Sequence, residues 1–140
     1  MSDGTCMYCA QNDAQKEIMI YICDLPASKL YLFRNQATRG RVIVAAKEHI
    51  NEFHDMDAGQ ASAFALDMRT AALAVSKAFS PDKINFGMYN DNGKHLHCHI
   101  VPKYKDGVNF GTTFEMNPSP AVLLEDAEYA DIITKIKACL

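Results

Sequence analysis

Five histidines occur in this chain of 140 residues, and three of them alternate within K-H-L-H-C-H-I-V-P-K-Y, residues 94–104. Read as a β-strand, the stretch sends His95, His97 and His99 out of one face. Leu96, Cys98 and Ile100 then leave by the other, and Pro102 marks the edge or end of the strand. Alternate strand residues stand about 6.5–7 Å apart, so His95 and His99 lie roughly 13 Å apart at Cα. Three imidazoles in a straight row would strain to share one ion, whereas one could serve a metal and two remain for chemistry. A neutral imidazole nitrogen is a nucleophile near pH 7 that can attack phosphorus. A neighbouring imidazolium can stabilise phosphate charge or protonate a leaving group. The bend Asn90-Asp91-Asn92-Gly93 precedes the row and could supply amide and side-chain donors to a phosphate.

The metal reading depends on the other ligands. Cys6-Met7-Tyr8-Cys9 has the spacing that lets two thiolates reach one tetrahedral ion. His49 and His95 would complete a closed Cys2His2 site with Cys6 and Cys9, the structural type of zinc centre. His54 is the runner-up for the third ligand. A redox pair is the competing reading of the two thiols, although no strand and helix of the thioredoxin kind flank them. Cys23, Cys98 and Cys139 have no partner spacing and read as buried or surface thiols.

The elements that must position these residues can be read in order. E-I-M-I-Y-I-C-D-L and S-K-L-Y-L-F-R-N are expected strands, and R-V-I-V-A-A-K after Gly40 is a third. Residues 57–79 repeat Phe64, Met68, Ala71, Leu73, Val75 and Phe79 roughly at helical spacing, capped by Asp55 or Asp57 and closed by Ser80-Pro81. K-I-N-F-G-M-Y is a fourth strand, and Asn92-Gly93 predicts a tight hairpin into the histidine strand. Residues 124–138 form a final helix. This order predicts an α+β fold with an antiparallel sheet, in one domain over residues 1–140.

Composition narrows the function classes. Apolar residues make up 49% of the chain and its net charge is −3, which fits a globular protein and argues against an electrostatically driven nucleic-acid partner. M-S-D-G-T-C lacks the features of an export signal, and no apolar run suggests a membrane span. The expectation is a cytoplasmic protein with reduced thiols.

H-L-H-C-H-I-V resembles the signature of the histidine-triad (HIT) family, His-φ-His-φ-His-φ-φ with φ apolar. G-R-V-I-V-A-A-K-E-H-I is similar to the family's Gly-strand-Pro-Lys-x-His-φ segment, with Ala46 where proline is usual. The C-x-x-C start resembles the zinc-bearing members, and V-P-K-Y the φ-Pro-Arg that follows the triad. The triad and zinc motifs fall within residues 6–105, and the loop and helix of 106–140 follow. The resemblance implies a five-stranded antiparallel sheet with one long central helix and a C-terminal helix, in a homodimer. It implies a nucleotide hydrolase or transferase acting at the α-phosphate of nucleoside phosphoramidates or dinucleoside polyphosphates. His97 would be the nucleophile that is transiently nucleotidylated. His99 would hold the phosphate or assist the leaving group, and His95 would join Cys6, Cys9 and His49 on a structural zinc. A nucleotide-binding or regulatory protein of low turnover is the alternative.

Two departures bear on the substrate. Many members place a carboxylate on the ribose from the region that here reads Y-L-F-R-N-Q-A-T-R-G, so Asn35 or Gln36 stands as the substitute, with Asn90 and Asn92 at the phosphate. The bend N-D-N-G-K is shorter than the phosphate loop of some members. F-G-T-T-F-E-M-N-P either closes over the site or packs at a dimer interface.

Overall fold

The computed structural model describes residues 4–140, so the first three residues of the segment read for an export signal lie outside it. The chain opens with two short helices, α1 (Met7–Ala10) and α2 (Asp13–Ile18). The side chain of Asn12 accepts the Gln15 N–H at 3.1 Å and so caps α2. That cap claims Glu17 and Ile18 for the helix, and the first strand begins two residues later than the sequence suggests. There follow β1 (Met19–Asp24), β2 (Ser28–Phe33), β3 (Val42–Ala46), a 3-10 turn (Phe53–Asp55), α3 (Ala58–Phe79), β4 (Lys83–Gly87), β5 (His97–Lys103) and α4 (Asp126–Ala138). The strands form one antiparallel sheet in the order β1-β2-β3-β5-β4.

Both faces of the sheet are covered. Leu30, Leu32, Val42, Val44, Cys98 and Ile100 pack with Phe64, Ala71, Val75, Ile132 and Ile136 of α3 and α4. The small side chains Ala71 and Ala74 let α3 lie close to the strands. On the opposite face Tyr8, Met19, Tyr31, Phe33, Ile43 and Ala45 form a second cluster. This double burial explains the unbroken apolar run V-I-V-A-A in β3. Asp57 is the cap of α3: it accepts the Gln60 N–H at 2.8 Å, and the Gln60 amide oxygen accepts the Asp57 N–H at 3.0 Å. Ser80, at φ 47°, ends α3 ahead of Pro81. The last helix starts at Asp126 rather than Leu124, because the Glu128 carboxylate accepts the Glu125 N–H at 3.0 Å and sets the boundary there.

Two expectations around the histidine strand are corrected. Asn92-Gly93 is not a tight turn, because β4 stops at Gly87 and pairs it with His99 across an open connection of residues 88–96. Within it the Leu96 N–H donates to the Ile50 carbonyl at 2.7 Å, and Leu96 accepts from the Ala46 N–H at 3.0 Å. These bonds draw residues 94–96 to the chain beyond β3, so His95 sits in a bend and β5 begins only at His97. Pro102 is the second-last residue of β5, at the end of the strand as expected. The β3 ladder stops at Ile100, and Lys103 turns its carbonyl to β4 by accepting the Asp82 N–H at 2.9 Å. The backbone of Pro102 therefore faces the side that β3 has already left, where a missing N–H forfeits no bond.

Candidate functional site

The bend at His95 brings together four side chains from three parts of the chain. Cys6 precedes α1, Cys9 lies within it, and His49 follows β3. Their ligand atoms and that of His95 all fall within 4.8 Å of one another. His95 Nδ1 is 3.4 Å from Cys6 Sγ, 3.6 Å from Cys9 Sγ and 3.3 Å from His49 Nδ1, and Cys9 Sγ is 3.4 Å from His49 Nδ1. Zinc bonds of about 2.3 Å to sulfur and about 2.0–2.1 Å to nitrogen, at tetrahedral angles, set S and N donors roughly 3.5 Å apart and two N donors roughly 3.3 Å apart. The four close spacings fit a tetrahedral ion. The second nitrogen of His95 supports the same assignment: Nε2–H donates to the Ala46 carbonyl at 2.7 Å, leaving Nδ1 bare toward the cluster. His54 lies exposed in the 3-10 turn and is not part of the group. Cys98 is buried in the core, which pushes its thiol up to about 12.

The other two histidines share a sheet face with Ile43 and Ala45, because His99 pairs with Ile43 and His97 with Ala45. Their ring centroids are 5.4 Å apart. His97 Nδ1–H donates to the His95 carbonyl at 2.7 Å, so the bare nitrogen of its neutral ring is Nε2. Burial holds the His97 pKa below the ordinary range against the raising effect of that carbonyl, so Nε2 is free of its proton at neutral pH. Tyr8 covers the row from the far side, its ring centroid 5.1 Å from His95 and 5.0 Å from His97.

Arg41 and Tyr8 are the site residues that sequence reasoning missed. The Arg41 guanidinium, 1% exposed, places Nη2 2.9 Å and Nε 3.3 Å from His99 Nδ1. The faint signal for it was a lone charge two positions ahead of Ile43, on the face that carries the histidines. Nη1 and Nη2 also donate to the Glu115 and Met116 carbonyls at 3.1 and 2.9 Å, and Phe33 and Phe114 flank the group at 4.3 and 5.2 Å. The segment around Phe114 therefore lies against the site. Burial, with Arg41 beside it, brings the His99 pKa down to about 2, and the two guanidinium contacts on Nδ1 favour the neutral ring over the imidazolium that the sequence reading allowed.

His97 and His99 line a cleft of ≈ 380 Å³ with Tyr8, Phe33, Tyr89, Asn90 and Asn92 among its walls. Asp91 adds a carboxylate to the lining. Asn90 Oδ1 accepts the His97 N–H at 3.3 Å and ties the connection to the start of β5. Asn35 is not among the lining residues. Its amide nitrogen donates to the Pro118 carbonyl at 2.9 Å, and its oxygen accepts the Ala37 and Val122 N–H groups at 3.3 and 3.1 Å. Gln36 is buried and occupied by the Phe33 and Gly40 backbone, at 2.6 and 2.8 Å.

The HIT domain family model matches residues 12–106. The chain belongs to the HIT family. As a HIT protein it is similar to Protein hit of Bacillus subtilis, 28% identical over an alignment of 124 positions, with 78% of this chain and 83% of that one covered. A histidine triad protein from Sinorhizobium meliloti shares the fold at a TM-score of 0.84 and 17% identity, with 92% of this chain and 95% of that chain covered. A Zn-bound histidine triad family protein from Mycobacterium smegmatis does so at a TM-score of 0.70 and 18% identity, covering 98% and 96%.

Proposed function

We propose that this HIT protein is a nucleotide hydrolase or transferase that acts at an α-phosphate through a nucleotidyl-His97 intermediate. The observation that carries this reading is the His97 ring, held by its Nδ1–H on the His95 carbonyl with Nε2 bare in a cleft of nucleotide size. The Nε2 lone pair forms an N–P bond to the α-phosphorus, and the bond from phosphorus to the leaving group breaks with its pair on that group. Water then forms the new O–P bond, the N–P pair returns to Nε2, and the water proton passes to solvent. The neutral His99 N–H stabilises a phosphoryl oxygen by hydrogen bonding without giving its proton away. Asn90 and Asn92 stand at the phosphate end of the cleft, and the ribose contact expected of Asn35 falls to other residues.

Cys6, Cys9, His49 and His95 would hold a structural zinc, which in a four-ligand site of this kind cross-links the chain and takes no substrate. The Zn-bound relative from Mycobacterium smegmatis supports that assignment. We read the protein as a cytoplasmic homodimer; no helix among the described residues is long and apolar enough to cross a membrane. β4 is an edge strand, and Phe86 on it and Leu73 on α3 are exposed beside one shallow apolar groove. Such a face suits a second copy. Light scattering after gel filtration tests the dimer, with Phe86→Glu expected to give monomers.

Intact-protein mass after mixing with a dinucleoside polyphosphate tests the chemistry. The wild type gains one nucleotidyl group and turns over. His97→Ala gains none and does not turn over, while remaining folded and metal-loaded. Equal turnover by wild type and His97→Ala would eliminate the covalent route.

A further inference from the structure

A guanidinium has donors only. With Nη2 and Nε of Arg41 on His99 Nδ1, that nitrogen carries no proton, and the single proton of the ring is on Nε2. A proton added to Nδ1 would meet two N–H groups and set a second buried cation against the first. We propose that Arg41 is a positioning residue that keeps His99 a neutral hydrogen-bond donor, and so selects substrates whose leaving group departs as a stable anion, a phosphate or polyphosphate. Such selection presupposes the nucleotidyl transfer to His97 proposed above.

The balance of the first half-reaction gives the reason. When the P–O bond to a phosphate leaving group breaks, the pair stays on an oxygen whose anion is stable in water, and no proton has to be supplied. When a P–N bond to an alkylamine breaks, the pair stays on nitrogen, which needs a proton as it leaves. An imidazolium at His99 could deliver one. A neutral imidazole would have to become an anion to do so.

Arg41 is built to hold this state. It is buried, and among the described residues no carboxylate lies within ion-pair distance of it. The carbonyls of Glu115 and Met116 fix the far edge of the guanidinium, and the rings of Phe33 and Phe114 cover it. The other titratable groups around His99 are His97 on the same strand and Tyr8, Tyr89 and Asp91 in the lining of the cleft. The carboxylate of Glu115 is turned to the Asn109 amide at 3.3 Å. The low pKa of His99 agrees with the geometry.

Two measurements test the inference, one of them independent of activity. Long-range nitrogen–proton NMR of the wild type should show His99 as the Nε2–H tautomer, without titration between pH 5 and 8 in any buffer used (a window that brackets the ordinary histidine value of about 6.5). In Arg41→Met His99 should titrate closer to that value, and Arg41→Lys should retain the wild-type behaviour. Steady-state kinetics should then compare a dinucleoside polyphosphate with an alkylamine nucleoside phosphoramidate. The wild type should favour the polyphosphate by about 10²–10⁴-fold in kcat/KM, the usual contribution of a general acid. Arg41→Met should narrow that ratio by about tenfold or more at pH 6 and less at pH 8, as expected once His99 can carry a proton. An Nδ1–H tautomer in the wild type, or titration of its His99 near neutrality, would overturn the role of Arg41. Equal wild-type rates on the two substrates would overturn the selection of leaving groups. Failure of every nucleotide to form an adduct would remove the nucleotidyl-transfer reading and the selection with it, while the NMR result would still decide the Arg41–His99 relation. If Arg41→Met does not fold, the wild-type and Arg41→Lys spectra decide the same question.

Discussion

His97 and His99 differ in which nitrogen the protein occupies and with what. A carbonyl holds one proton of His97, so its free nitrogen has a lone pair; a guanidinium holds the lone pair of His99, so its free nitrogen has a proton. One neutral ring thus offers a lone pair and its neighbour a proton, with no change of protonation between them. The arrangement sets a pH dependence of stability. An unfolded histidine takes up a proton near pH 6.5, whereas folded His99 does not until about pH 2. Between those values the unfolded chain binds one more proton, so the contribution is whole above pH 6.5 and is lost as the pH falls. The slope is about 1.4 kcal/mol per pH unit for one fully differential proton. Urea unfolding of the wild type at pH 7.5 and pH 5 should show this loss, and His99→Gln should flatten the slope by close to one proton. An unchanged slope in His99→Gln would show that other groups carry the acid sensitivity.

At the scale of elements, Gly87 at the end of β4 shows how tightly the segment after β5 is seated. A Cβ on Gly87 would lie 2.5 Å from Phe114 Cζ, and the Phe114 ring stacks on Tyr89 with centroids 5.9 Å apart. Gly87→Ala should therefore cost about 1–3 kcal/mol, the range for overpacking, and unseat the cover over Arg41. Phe114→Leu in the same chain should recover part of that loss, read as non-additive melting temperatures in a double-mutant cycle. Additive losses would mean that the two positions do not press on each other. How far such elements were legible depended on whether their pattern was local. The caps of α3, the apolar run of β3 and the alternation of Leu96, Cys98 and Ile100 are written in neighbouring residues, and the sheet and both long helices followed from them. Helix α2 was hidden because one asparagine cap outweighs an apolar run that also suits a strand. The bend at His95 was hidden because its cause, the Leu96–Ile50 pairing, joins segments far apart in sequence. The four metal-site residues were legible by type and spacing. Arg41 was not, since a charge at a strand start ordinarily faces solvent.

At the scale of the whole molecule, the cluster of two cysteines and two histidines ties the N-terminal segment to the sheet. Cys6 and Cys9 come from α1 and its approach, whereas His49 and His95 leave the ends of β3 and of the connection before β5. Cys6→Ala should lower metal content and melting temperature together, because a bound ion contributes its binding energy to folding. Chelated wild type should regain both when zinc is returned, and Cys6→Ala should not; full stability of the metal-free wild type would count against a structural ion. The sheet itself has a gradient of rigidity. β3 is paired on both sides and buried on both faces, so the amides of Ile43 and Val44 should exchange with deuterium only when the entire molecule opens. Residues 88–95 lie in no strand and should exchange through small local openings. His99 stands opposite Ile43, inside the doubly paired part of the sheet, and His97 on the first rung beside the unpaired connection. His99 is thereby fixed within the doubly paired part of the sheet, while His97 sits at a boundary where one hydrogen bond, from its own N–H to Asn90, joins the ladder to the connection before it.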